Sequence, residues 1–210
     1  MAYGYLGQNT PNQTVNNSGV FSITDSANLQ SQGKLGGSLE LIEEQTASGN
    51  PSSIDFISIK ESIYDVHLVE MIGWSHSNTS QMAIRFYESG VVENSAVYQI
   101  AYQRGAGDGN FGEARSTGLN MITINSGVST GTNRLRNGYF YVYNAGNSSK
   151  YTFITQQTTT IDNGGDFNMS FGGGVLPQAS SVDGIKILGY TSGTFTSGTF
   201  KLFGVKQWVT

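Results

Sequence analysis

Few side chains in this chain can do chemistry, and their spacing limits each of them. There is no cysteine and there are only two histidines, so disulfides, thiolate metal sites and thiol nucleophiles are excluded. The segment "GVSTG", Gly127 to Gly131, fits the G-x-S-x-G pattern that sets a serine on a strained strand-to-helix turn, which makes Ser129 a formal nucleophile. The following "TNRLRNG" has no helical pattern, and the only histidine bases on offer are His67 and His76. A Gly/Ser turn explains the motif without catalysis.

His67 and His76 could ligate a metal only with a third and fourth donor. His67 lies in a strand run and is expected on its solvent face beside Asp65, with His76 in the "WSHSNTS" turn. "GAGDGNFGE" offers Asp108, Asn110 and Glu113, and "DNGGD" offers Asp162, Asn163 and Asp166, as oxygen donors. Neither completes a calcium-loop spacing, and Gly and Asn there suit turns with positive φ. "FGGGV", Phe171 to Val175, lacks the Gly-Lys-Ser/Thr ending of a phosphate loop, and is expected to mark a bend or bulge where a strand leaves its sheet. The adjacent Glu43 and Glu44 point to opposite faces of a strand and cannot converge on one substrate. The expected site therefore has no catalytic residue, no metal and no cofactor.

Composition points the same way. Charged residues are 12% of the chain, its formal net charge is −4, and 28 glycines accompany abundant Ser, Thr and Asn. No basic block exists to release counterions from phosphates, so no nucleic-acid partner is expected. No apolar run is long enough to span a bilayer, and "MAYGYLGQNTPNQ" lacks the charged start and apolar centre of a secretory signal, so no membrane insertion is expected.

The elements that must hold these residues divide into two regions. Residues 1–37 are polar, rich in Asn and Gln and without period, and read as an extended N-terminal arm. Within the arm "SITDSANLQSQGKLGG" predicts a short helix, with Thr24 or Asp25 as N-cap, Ala27 and Leu29 inside and Gly33 as the stop. Residues 38–210 alternate in period two, in runs such as "SIDFISI", "QMAIRFYES" and "LNMITIN" separated by Gly, Asn and Ser clusters. The fold class expected is all-β, an antiparallel jelly-roll-like sandwich over 38–210.

Alternation assigns faces. Met82, Ile84 and Phe86 share one side and Ala83, Arg85 and Tyr87 the other, and Tyr151, Phe153 and Thr155 oppose Thr152 and Ile154 in the same way. "GYFYVYN" is bulky on both sides, so it is expected between two layers, covered by a loop, the arm or a neighbouring subunit. "SGTF" occurs twice near the end, and Ser192-Gly193 and Ser197-Gly198 read as turns around a closing hairpin. Aromatic side chains at strand ends or loops can stack on sugars or partner proteins while polar neighbours donate hydrogen bonds. On that basis Trp74, Tyr87, Tyr102, Arg104 and Phe111 are the expected ligand-binding residues.

"SSVDGIKILGYTSGTFTSGTFKLFGVK", "SLELIEEQTAS", "SIDFISIKESIYDVHLVEM", "IRFYESG" and "SFGGGVLP", with the opening "YGYLGQNTPNQTVNNSGVFSITD", resemble virion structural proteins of tailed phages that infect marine bacteria, cyanobacteria especially. The resemblance implies a jelly-roll-like domain on the exterior of a virion: a tail fibre, tail accessory or appendage with a part in host attachment. It implies an arm that anchors to other virion structural proteins, with Tyr3, Tyr5, Leu6, Val20 and Phe21 as its apolar anchors, and a homotrimer. A host-surface glycan is the expected external ligand. A capsid decoration or cement protein and a carbohydrate-binding module are the alternatives.

Overall fold

The structure is a computed structural model and describes residues 22–31, 38–125, 130–131 and 133–206. The arm positions Tyr3, Tyr5, Leu6, Val20 and Phe21, the Gly33 stop and Ser129 lie outside the described residues. The chain forms two compact units, Met1–Leu39 and Glu40–Thr210.

In the first unit the described residues form α1 (Ile23–Ser31). Its N-cap is Ser22, two residues before Thr24 and three before Asp25. The Asp25 amide donates to Ser22 Oγ at 3.0 Å and the Ser22 amide to Asp25 Oδ2 at 3.2 Å. Two otherwise orphaned N–H groups are thereby satisfied reciprocally, which places Asp25 inside the helix.

From Leu39 onward the strands are β1 (Leu39–Thr46), β2 (Ser53–Phe56), β3 (Val66–His76), β4 (Met82–Glu88), β5 (Val91–Val92), β6 (Tyr98–Ala106) and β7 (Phe111–Leu119). They continue as β8 (Ile122–Thr123), β9 (Arg136–Tyr143), β10 (Thr152–Ile161), β11 (Phe167–Leu176), β12 (Gly184–Gly189) and β13 (Phe195–Val205). An eight-stranded sheet runs β1-β13-β3-β9-β10-β11-β6-β7, and a five-stranded sheet runs β2-β12-β4-β5 with β8 also on β4. Val69, Met71, Phe140, Phe200 and Leu202 from the first sheet meet Ile54, Phe56, Ile84, Phe86, Ile185 and Ile187 from the second in one buried core. Each such side chain contributes about 1.5–3 kcal/mol through removal from water.

The order β1-β13-β3-β9 facing β2-β12-β4-β8 is that of a jelly roll, and it confirms the expected antiparallel sandwich. Two antiparallel hairpins interrupt this core. β6–β7 is inserted between β4 and β8, β10–β11 between β9 and β12, and the two join where β11 pairs with β6. Both extend the same sheet, so that sheet outgrows its partner.

Several local expectations change for reasons the topology supplies. The final segment forms no hairpin with β12: β13 pairs with β3 in the opposite sheet, because a jelly-roll chain crosses between layers there. Ser197-Gly198 lies within β13 at a break in register, a bulge and not a turn. Gly198 takes φ +130°, and a Cβ there would lie 2.6 Å from Trp74 Cβ, so glycine lets the bulge close over the indole. "FGGGV" makes no bend, since β11 pairs without a register break on both sides. Finally, β10 places Thr152, Ile154, Gln156 and Thr158 inward and Phe153 outward. The inward side of β10 is mixed: Ile154 joins the apolar core, while buried Thr158, toward the overgrown part of the sheet, donates to the Ile124 carbonyl at 3.3 Å.

Candidate ligand-binding face

Of the five expected ligand-binding residues, Tyr102, Arg104 and Phe111 all belong to the β6–β7 hairpin, while Trp74 and Tyr87 lie elsewhere. Trp74 is a correction. Its side chain is 1% exposed, with the Arg136 guanidinium 4.4 Å above the ring and Phe195 edge-on at 6.2 Å. No sugar or partner can reach a ring engaged on both sides in the core. Tyr102 is likewise 5% exposed, with its hydroxyl 3.4 Å from the Asn125 carbonyl, and burial pushes its ionisation up. Arg104 is half-buried and Phe111, at the hairpin tip, is 86% exposed.

Tyr87 stands on the outer face of the five-stranded sheet within a closed network. Its hydroxyl donates to Asp55 Oδ1 at 2.6 Å, Ser53 Oγ donates to Asp55 Oδ2 at 2.5 Å, and Lys186 Nζ donates to Asp55 Oδ1 and Ser53 Oγ at 2.9 Å each. Burial works to raise the Asp55 carboxyl, but these donors together hold it below its ordinary range. Burial and the Asp55 bond push the Tyr87 hydroxyl up to about 12. The Lys186–Ser53 contact resembles a nucleophile pair, yet the carboxylate between them keeps the ammonium engaged as an ion-pair donor.

The histidines are also placed differently from expectation. His67 is fully buried and not on the solvent face: its parity in β3 is that of Val69 and Met71, and its Nε2–H donates to the Ile59 carbonyl at 2.7 Å. His76 closes β3, buried against Phe195, and its Nδ1–H donates to Asn78 Oδ1 at 2.8 Å. Burial lowers both imidazoles below their ordinary range, and Arg136 adds to the effect on His76. Among the described residues no three His, Cys, Asp or Glu side chains converge on a metal position. Both calcium-like segments are hairpin tips. Asp108 accepts the Asn110 amide at 3.0 Å, and Asp162 Oδ1 accepts the Asp166 amide at 3.1 Å. Arg134 donates to the Asp162 and Asn163 carbonyls at 2.7 and 3.1 Å, placing a cation of the chain's own at the second tip.

A row of outward-facing rings lies on the outer face of the eight-stranded sheet. On β9, Phe140 and Val142 point into the core while Tyr139, Tyr141 and Tyr143 form an outward ladder with centroids 5.9 and 6.2 Å apart. The ladder is pinned to β10, where Tyr139 donates to Gln157 Oε1 at 3.1 Å and the Tyr143 and Thr155 hydroxyls lie 3.0 Å apart. Beyond it Phe153 and Phe171 are 45% and 44% exposed. A depression of about 600 Å³ opens between Phe153 and Val175 on one side and Arg115 and Thr117 on the other, over Gly173 and Ala101. A second, of about 480 Å³, lies on the opposite side of the β6–β7 hairpin, between Tyr102, Leu119 and Tyr190.

Sequence reasoning singled out Tyr102, Arg104 and Phe111 without placing a strand over Phe111–Leu119, and it missed Phe153, Phe171 and the glutamines beside them as site residues. The available signal was "TFITQQTTT", where Thr and Gln recur on the side opposite Phe153 and give no core-forming stripe. The arrangement can stack and hydrogen-bond a ligand across a shallow neutral surface; among the described residues it brings together no nucleophile, base and oxyanion donors in one pocket. Comparison with known proteins finds no family model, no curated protein and no solved structure that matches this chain.

Proposed function

We propose that this chain is a non-enzymatic structural and attachment module displayed on the exterior of a phage virion. The observation that carries the reading is the outgrown sheet: a closed jelly-roll core supports a broad outer face of half-exposed rings and amides. A rigid sheet holding such a face suits repeated weak contacts better than turnover. Jelly rolls serve as particle-building domains, which is an analogy at the level of fold, and the segments that resemble virion proteins add the location. In this reading residues 1–37 bind other virion structural proteins, and copies assemble as homotrimers.

The test uses antibodies raised against the purified full chain. The expected result is labelling of intact particles at one repeated position, with the chain found among the proteins of density-purified virions. Recovery of the chain only from the soluble lysate, with unlabelled particles, overturns the proposal. Sedimentation equilibrium of the full chain at micromolar concentration is expected to return three times the 22.5 kDa chain mass.

A further inference from the structure

We infer that the depression on the outer face, together with the row of Gln157, Phe171 and Gln103 beside it, is a groove for one strand of a neutral polysaccharide, running across β10, β11, β6 and β7. This deepens the attachment reading and rests on it. Cross-strand register lays out three parallel rows. Phe153, Val175 and Gln99 stand opposite one another in the first, and Gln157, Phe171 and Gln103 in the third. Between them Gly173 and Ala101 form a low floor, with Thr155 at one end and the exposed Arg115 side chain rising at the other. Alternate residues on one face of a strand are about 7 Å apart, so the two walls stand about 13 Å apart backbone to backbone. The groove crosses three strand spacings, about 14 Å, a length that suits about three pyranose rings. It is too narrow, once wall side chains are counted, for a helix of about 10 Å diameter.

The chemistry of the walls selects the occupant. Each wall carries one phenylalanine, 45% and 44% exposed, able to lie against the C–H face of a sugar ring. Each also carries a glutamine, Gln99 on one and Gln103 on the other, whose amide offers both a donor pair and an acceptor to vicinal hydroxyls, while the Gln157 amide is engaged by Tyr139 and Met169. The one cation in the groove, Arg115, is already paired with Glu113 on the same strand. A neutral ligand matches that balance, whereas an anionic glycan or a nucleic acid would need uncompensated Lys or Arg. A second copy of the chain would meet amide-bearing walls and a trough where a protein core contact wants complementary apolar relief. The floor is kept low by close strand approach: a Cβ on Gly173 would lie 2.4 Å from the Ile154 carbonyl oxygen, so no side chain can grow there.

Isothermal titration calorimetry of the full chain against maltohexaose, cellohexaose, laminarihexaose and mannohexaose, with hexagalacturonate as the charged control, tests the inference. At least one neutral hexasaccharide is expected to bind and hexagalacturonate is not. Ala101→Tyr, on the exposed floor, fills the groove and abolishes binding, and Phe153→Ala and Phe171→Ala each weaken it about tenfold. All three variants retain the thermal midpoint within about 4 °C, because these side chains lie outside the core. The groove is overturned if no neutral hexasaccharide binds, if Ala101→Tyr binds like the parent, or if Phe153→Arg instead dissociates an oligomer. Particles that carry the chain while the purified chain binds no saccharide sink the groove alone. Saccharide binding by a chain absent from particles sinks the virion reading alone.

Discussion

On the outer face of the five-stranded sheet, Asp55, Ser53, Tyr87 and Lys186 answer one another across three strands. On the outer face of the eight-stranded sheet, Phe153 and Phe171 leave ring area to solvent, and only the tyrosines between the jelly-roll core and the extension are pinned by hydrogen bonds. A face whose polar groups are mutually satisfied has little to exchange with a ligand. A face with unengaged rings and amides does, and it occurs where two inserted hairpins have carried the sheet past its partner.

The contrast can be broken most forcefully on β9, where one strand serves both a core and an outer face. Phe140→Ala is expected to cost about 3–5 kcal/mol in urea unfolding, against under about 1 kcal/mol for Tyr139→Ala. Equal losses would show that the tyrosine ladder is structural core and not an available surface. Next in size is Gly173→Ala, whose Cβ must displace the Ile154 carbonyl and is expected to cost roughly 1–3 kcal/mol. Asp55→Ala, which strands Tyr87 and Lys186 without their acceptor, should cost roughly 1–2 kcal/mol after solvent screening of a partly exposed pair. A neutral outcome there would mean that the five-stranded face is as loosely satisfied as its counterpart.

Acid sharpens the comparison further. His67 and His76 are held below 6.5 in the folded chain, so unfolding takes up protons once the pH falls beneath that value. Stability is expected to be complete above about pH 6.5 and to decline below it, with a further loss below about pH 4 as Asp55, whose folded value is also lowered, gains its proton. Thermal midpoints measured between pH 8 and pH 3 check this, and a flat profile between pH 7 and pH 5 would mean that the histidines are not buried in neutral form. The smallest effect belongs to the exposed Glu113–Arg115 pair, where Glu113→Gln should change stability by under about 0.5 kcal/mol.

Much of the scaffold was legible residue by residue. In "MAIRFYE" Met82, Ile84 and Phe86 are buried as the period requires, though Ala83 on the opposite side is buried as well. "GYFYVY" is bulky on both sides, and both sides matter: Phe140 and Val142 fill the core while the tyrosines line the outer face. The candidate site was less legible. Trp74 looked like an exposed end residue, but the Gly198 bulge and Arg136 enclose it, and both arrive from distant parts of the chain. His67 carried a polar label into a parity shared with Val69 and Met71, and the Ile59 carbonyl that satisfies it lies in a loop no pattern could place.

By itself the order of residues settled the strand-rich body and the low charge, because period two, residue type and net charge are properties of neighbours along the chain. Tertiary structure decided the rest. The jelly-roll order depends on pairings between distant segments, and the outward turn of Phe153 depends on what the facing layer supplies. Over the core that layer is apolar, and Ile154 turns in to meet it; further along β10 buried Thr158 meets the Ile124 carbonyl instead, while Phe153, of the opposite parity, turns out.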